Sequence, residues 1–137
     1  MAPTARPLRI VVVSPDAGVL HDLSWMLSAV GYVVMASKDA GHQAIWRQLR
    51  DVDFVVLDGR SIVSPTKETF AHHSDNPIYR IFLYDPSVAI DTASWFAAGA
   101  NDALRVPVSR GELLARVRTG ARMLEFEKRM CRAPDAG

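Results

Sequence analysis

Asp58 is the residue of this chain best placed to do chemistry. It closes the apolar run Phe54-Val55-Val56-Leu57 and is followed by Gly59 and Arg60. A fully buried parallel strand reads as continuous Val, Leu and Phe, and ligands on open α/β sheets gather at the carboxyl ends of such strands. A carboxylate in that place can bind a cation, take a proton or attack an electrophile. Arg60, two residues on, either supplies Asp58 with a permanent cation or is a solvated loop arginine. An exposed pair of that kind contributes under ~1 kcal/mol.

The other chemistry-bearing residues read more simply. Ser14-Pro15-Asp16 follows the first apolar run, but no histidine stands in a nucleophile-elbow context, and the triplet reads as the cap of the first helix. His72-His73 has no Cys or carboxylate at ligand spacing and reads as an exposed loop, while His21 and His42 are singletons on predicted helices. Neither G-x-G-x-x-G nor G-x-x-x-x-G-K-[ST] occurs, which argues against a nucleotide enzyme. Tyr84-Asp85-Pro86 reads as a turn. Trp25, Trp46 and Trp95 fall on separate predicted helices as packing residues.

The elements that must position Asp58 alternate along the chain. Strands are predicted at 9–13, where Ile10-Val11-Val12-Val13 is strongly β-branched, and at 32–36, 53–58, 78–84 and 102–106. Leu20, Leu23, Leu27 and Val30 recur at helical spacing up to Gly31. A second helix is predicted over 38–49, with Ala44, Ile45 and Leu49 inward. Pro65 opens a short helix through Phe70, and 72–76 reads as loop. Ser87 is the expected cap of a helix over 89–98, ended by Gly99. Ser109 with Glu112 three residues later forms a capping box for a long last helix. Strict β–α alternation with right-handed crossovers predicts a five-stranded, doubly wound parallel sheet with helices on both faces.

At 137 residues the chain fits one domain, and 49% hydrophobic with 23% charged residues is enough for a real core. The net charge of +1 gives no global reason to expect nucleic acid. The stretch 110–132 carries seven Lys/Arg and three Glu, and a solvated helix face is the expected reading of that excess. Cys131 is the only cysteine, so no internal disulfide can form and a reducing compartment is natural. With no signal-peptide pattern and no apolar run near the ~18–20 residues of a membrane span, a cytoplasmic location is expected.

Four segments in this order carry a likeness to a known family: Arg9-Ile10-Val11-Val12-Val13, Asp53 through Asp58, Ala98-Gly99-Ala100-Asn101-Asp102-Ala103-Leu104, and Pro107 through Val117 with its Glu112-Leu113-Leu114-Ala115-Arg116-Val117 helix start. Together they resemble the receiver domain of bacterial response regulators over about residues 8–124. The resemblance implies an α/β three-layer flavodoxin-like sandwich with strand order 2-1-3-4-5, a receiver-like domain at 8–121, and beyond it, at 122–137, an extension of the last helix and a disordered tail. It also implies that Asp58 is the phosphoacceptor-equivalent position.

Moving a phosphoryl group onto a carboxylate crowds negative oxygens, and it needs a divalent cation and a fixed ammonium to offset them. The family supplies an acidic pair after the first strand, a hydroxyl after the fourth, and a lysine before a cis-proline after the fifth. Here those places hold Ser14 and Pro15, with Asp16 one step on as the remnant acid; Tyr84, or Leu83 one register earlier; and Val106 before Pro107. Ser14-Pro15 is a poor substitute for Mg²⁺ ligands, which leaves Asp16 and Asp58 as the only candidates for a metal. The expected protein is therefore a degenerate receiver. It would be a non-enzymatic two-component signalling module acting through protein contact or dimerisation, with no cofactor and no membrane. The alternative is a working receiver that uses Mg²⁺ and is phosphorylated at Asp58 by a histidine kinase.

Expected partners are a histidine kinase, a fused or separate output domain, or a second copy. A homodimer would use the face of the fourth predicted helix, the fifth strand and the last helix, with Trp95, Leu113, Val117, Ala121 and Leu124. Leu114, Val117, Ala121 and Leu124 have the 3-4-3 spacing of a coiled-coil seam, which Lys128 and Cys131 interrupt. A helix from 109 to about 132 is roughly 36 Å long, so its end is expected to project. On this reading the chain is a piece of a longer regulator or a stand-alone receiver.

Overall fold

Runs of β-branched and aromatic residues with no interior Gly or Pro build the sheet. The computed structural model describes residues 6–38, 45–62, 64–72 and 76–132. Its strands are β1 (Arg9–Val13), β2 (Val33–Ser37), β3 (Phe54–Asp58), β4 (Tyr79–Tyr84) and β5 (Asp102–Arg105), all parallel in the order β2-β1-β3-β4-β5. This is the expected topology. β3 is buried at every position because both of its faces are covered. The register pairs Val13 with Leu57, so the next residues, Ser14 and Asp58, emerge side by side at the carboxyl edge.

One face of the sheet is covered by α1 (Ala17–Ser28) and α3 (Arg110–Arg132), through Leu20, Leu23, Leu27, Leu113, Val117 and Leu124. The other is covered by α2 (Thr92–Ala97), by a 3-10 turn at Ile45–Gln48, and by Phe70, with Trp46 and Trp95 buried among them. Three layers result, the second face carrying far less helix than expected. Of the predicted 38–49 helix, 39–44, including Ala44, lie outside the described residues. Of the rest, Ile45–Gln48 form the 3-10 turn, and Lys38 and Leu49 are outside any helix.

The helix expected from Pro65 is a pair of turns, Thr69 N to Thr66 O and Ala71 N to Glu68 O. Its threonines compete with helical bonding: Thr66 N donates to Thr69 Oγ1, and Glu68 N donates to Thr66 Oγ1. Helix α2 starts later than expected. Ser87 is turned to Asp85, donating from N and Oγ to Oδ1, and Asp91 takes the cap, accepting from Ser94 N. Gly99 ends α2 at φ +117°, where a side chain would be strained.

The apolar stripe of α3 behaves otherwise than a seam. Leu113, Val117 and Leu124 are buried in the core, Ala121 packs against it, and Trp95 is buried on the opposite face of the sheet. The four buried side chains cannot form the expected dimer face, because an amphipathic helix on a sheet spends its apolar side on that sheet, and Ala121 alone is partly open. Packing also runs past residue 121. Leu124 is core, and Lys128 reaches Asp53, at 3.8 Å, by the start of β3. Asp53 is itself buried and also receives Arg6, at 3.2 Å, and the Arg9 amide, at 2.9 Å. Ser109 fills half of its capping box: its Oγ accepts from Glu112 N at 3.5 Å, while Glu112 turns to Arg116. Among the described residues no helix is long and apolar enough to cross a membrane.

Candidate functional site

Adjacent parallel strands bring Ser14 and Asp58 together, and the chain after β3 folds back on them. Asp58 caps the 3-10 turn Gly59–Ser61, accepting from Arg60 N at 3.1 Å. That turn carries the Arg60 side chain over the carboxylate. Arg60 Nε donates to Oδ1 at 3.0 Å and Nη2 to Oδ2 at 2.7 Å, the two-pronged geometry of a strong guanidinium–carboxylate pair. Ser14 is fully buried and donates its hydroxyl to Oδ2 at 2.7 Å, while accepting from Asp16 N at 3.0 Å. Asp16 caps α1 with Oδ1, which accepts from Gly18 N and Val19 N, and meets Arg60 Nη2 with Oδ2 at 3.3 Å.

Asp58 is 1% exposed and Arg60 32% at the side chain, so the pair has one dry end and one wet end. Burial pushes the Asp58 carboxyl up, but the Arg60 guanidinium, the Ser14 hydroxyl and the Arg60 amide together outweigh it and hold it below the ordinary carboxylate range. The hydrogen bond to Asp58 raises Arg60 above its usual value, with desolvation opposing it. Asp58 is therefore an anion at neutral pH with its charge answered inside the protein.

An ionised carboxylate offers about four lone-pair sites. The Arg60 amide and Nε take Oδ1; the Ser14 hydroxyl and Arg60 Nη2 take Oδ2. Mg²⁺ needs oxygen lone pairs in octahedral array, and here Asp58 has none to spare, while Asp16 is divided between a helix cap and Arg60. The residues present do not fit the metal. Among the described residues no three His, Cys, Asp or Glu gather where an ion could be held.

The remaining expected positions are arranged around this pair. Pro15 is exposed, Tyr84 ends β4 half-buried with its ring 6.2 Å from Phe82, and Val106 is half-buried against the core with its amide on Tyr84 O. The Val106–Pro107 peptide is cis. Beside the pair lies an open cleft of about 320 Å³, lined by Arg60, Ile62, Tyr84, Asp85, Ile90 and Trp95 among others. Sequence reading gives Ser14 as part of a helix cap and as a lost acid, and misses its role as a donor to Asp58. The signal was available, since Ser14 and Asp58 each stand one residue past paired strand positions. His72 Nε2 meets the Leu49 carbonyl, His21 is exposed, and His42 and His73 lie outside the described residues.

No family model matches the chain, and no curated protein matches it. Solved structures do. The response regulator receiver domain (CheY-like) from Methanospirillum hungatei JF-1 superposes with a TM-score of 0.74 at 18% identity, over 88% of this chain and 98% of that one. The signal receiver domain of an HD-domain-containing protein from Pseudomonas fluorescens Pf-5 gives 0.74 at 23% identity, over 93% and 96%. A third, an atypical orphan response regulator described as having a phosphorylation-independent regulatory mechanism, gives 0.68 at 17% identity, over 84% and 96%. The likeness is one of fold, and the fold is the CheY-like fold of response regulator receiver domains.

Proposed function

We propose that this chain is a pseudo-receiver: a signalling module of the two-component type that acts through protein contact and does not undergo Mg²⁺-dependent phosphorylation at Asp58. The observation that carries the reading is the occupation of both Asp58 oxygens by Arg60 and Ser14. A phosphoacceptor must turn a lone pair toward phosphorus while a cation offsets the incoming oxygens. Here the cation is covalently part of the chain and already spends its charge on the acceptor. No ammonium stands before Pro107 to stabilise a phosphoryl group, since Val106 holds that place. The site thus holds one charge state, and regulation comes from which proteins the module touches. The phosphorylation-independent mechanism described for one fold neighbour agrees with this reading.

The test is a small phosphodonor such as acetyl phosphate with excess Mg²⁺, followed by intact mass. The mass is expected to stay unchanged. An adduct present in the native chain and absent from Asp58→Asn would overturn the proposal and restore the working phosphoacceptor.

A further inference from the structure

The body-facing side of α3 is spoken for, but its opposite side carries an apolar stripe that nothing among the described residues covers. Met123, Phe126 and Met130 are 46%, 64% and 63% exposed. Their 3-4 spacing, continued backward by exposed Thr119, is that of alternating a and d positions. At roughly 100° per residue the stripe is centred about 140° round the helix from Val117 and Leu124. A partner lying on it would therefore not collide with the sheet. Three large apolar side chains at this spacing on one helix are more than the scattered exposure a soluble surface ordinarily carries.

We propose that this stripe is the seam of a short parallel coiled coil with α3 of a second copy of this chain. The flanking charges select that occupant and that orientation. With Met123 and Met130 at a and Phe126 at d, Arg122 falls at g and Glu127 at the following e. In a parallel pair the g residue of one helix faces the next e residue of the other, so Arg122 meets Glu127 of the second copy twice. An antiparallel pair sets g against g and e against e, bringing Arg122 toward Arg129 and stacking like charge. Neither Arg122 nor Glu127 forms a close ion pair among the described residues, although Glu127 lies near enough to Arg80 to feel its charge. Helix α3 is already ordered by its packing on the sheet, which removes most of the ordering cost that two heptads could not meet alone. Toward the amino end the seam positions become Thr119 and Arg116, which are polar, so the contact is confined to the last turns. The association is independent of the state of Asp58 and is expected to be weak and constitutive.

Sedimentation of the full chain over a range of concentrations should show a monomer–dimer equilibrium. Phe126→Glu and, separately, Met130→Glu should abolish it without changing the circular dichroism, since both sites are exposed. Arg122→Glu should weaken it about three- to tenfold, and adding Glu127→Arg should restore it. In a Cys131→Ser background, Met123→Cys should oxidise readily to a self-cross-linked dimer. A strict monomer at high concentration, a dimer that survives Phe126→Glu and Met130→Glu, or cross-linking only between Met123→Cys and Met130→Cys chains would overturn the proposal.

Discussion

Burial and hydrogen bonding compete at Asp58, and the competition sets its charge. Taken out of water alone, the carboxyl would bind a proton more readily than a free aspartate, whose pKa is about 3.9. The donors from Arg60 and Ser14 reverse that. Arg60→Ala removes two of the four donors, so the carboxyl is expected to titrate higher in a carbon-detected NMR titration of Asp58. The same change should cost about 1–3 kcal/mol. That is less than a wholly buried pair because Arg60 stays partly in water. Ser14→Ala should move the pKa the same way by less, since one donor is lost. An unmoved titration in Arg60→Ala would leave the arginine without an electrostatic role. The Arg60 contact was one of two readings open in the sequence. The 3-10 turn that aims its side chain decided between them.

Among the elements, α3 is held to the sheet by a close approach as well as by apolar side chains. A Cβ added at Gly120 would lie 2.7 Å from Phe54 Cε2 and from Tyr79 Cδ1, two rings whose centroids are 5.4 Å apart. Leaving glycine would normally favour a helix by up to about 1 kcal/mol. Crowding of two core rings opposes that, and overpacking of this kind costs about 1–3 kcal/mol. Gly120→Val is therefore expected to destabilise the fold, read as a lower urea midpoint at unchanged slope. A stabilised variant would mean that α3 can lift from the sheet without penalty. Nothing in the local sequence marks Gly120, because its requirement comes from Phe54 and Tyr79, far away in the chain. The existence of α3, by contrast, was readable from Leu113, Val117 and Leu124. What they face was misread, since seam spacing and core-stripe spacing are nearly the same on one helix.

For the whole molecule, the buried pair links stability to pH. Asp58 has a folded pKa below its unfolded value, so its contribution is fully present above about pH 4 and is lost as pH falls through the folded value. Asp85 and Asp91 are also held low, by hydrogen bonds from Ser87 and Ser94, but at exposed sites. Acid should therefore destabilise the native chain steeply, and Asp58→Asn should flatten the slope of unfolding free energy against pH in that window. Equal slopes for the two proteins would place the acid sensitivity elsewhere.

The sequence by itself determined the sheet. Apolar β-branched runs separated by helical spacing leave few topologies open, and right-handed crossovers make the sheet parallel and doubly wound; the strand order came with the resemblance. It also determined that the acidic pair and the lysine of the resemblance are missing, since identity at a position needs no coordinates. Helices on the thinly covered face were overcalled because Thr66, Thr69 and Ser87 prefer local hydrogen bonds to helical ones, a contest that spacing does not register. Only the tertiary structure decided that Ser14 is a donor to Asp58, that Arg60 lies over both oxygens, and that the exposed stripe of α3 is Met123-Phe126-Met130. Each of these depends on which residues strand register and helix rotation bring face to face, and distances between residues far apart in the chain are set by packing.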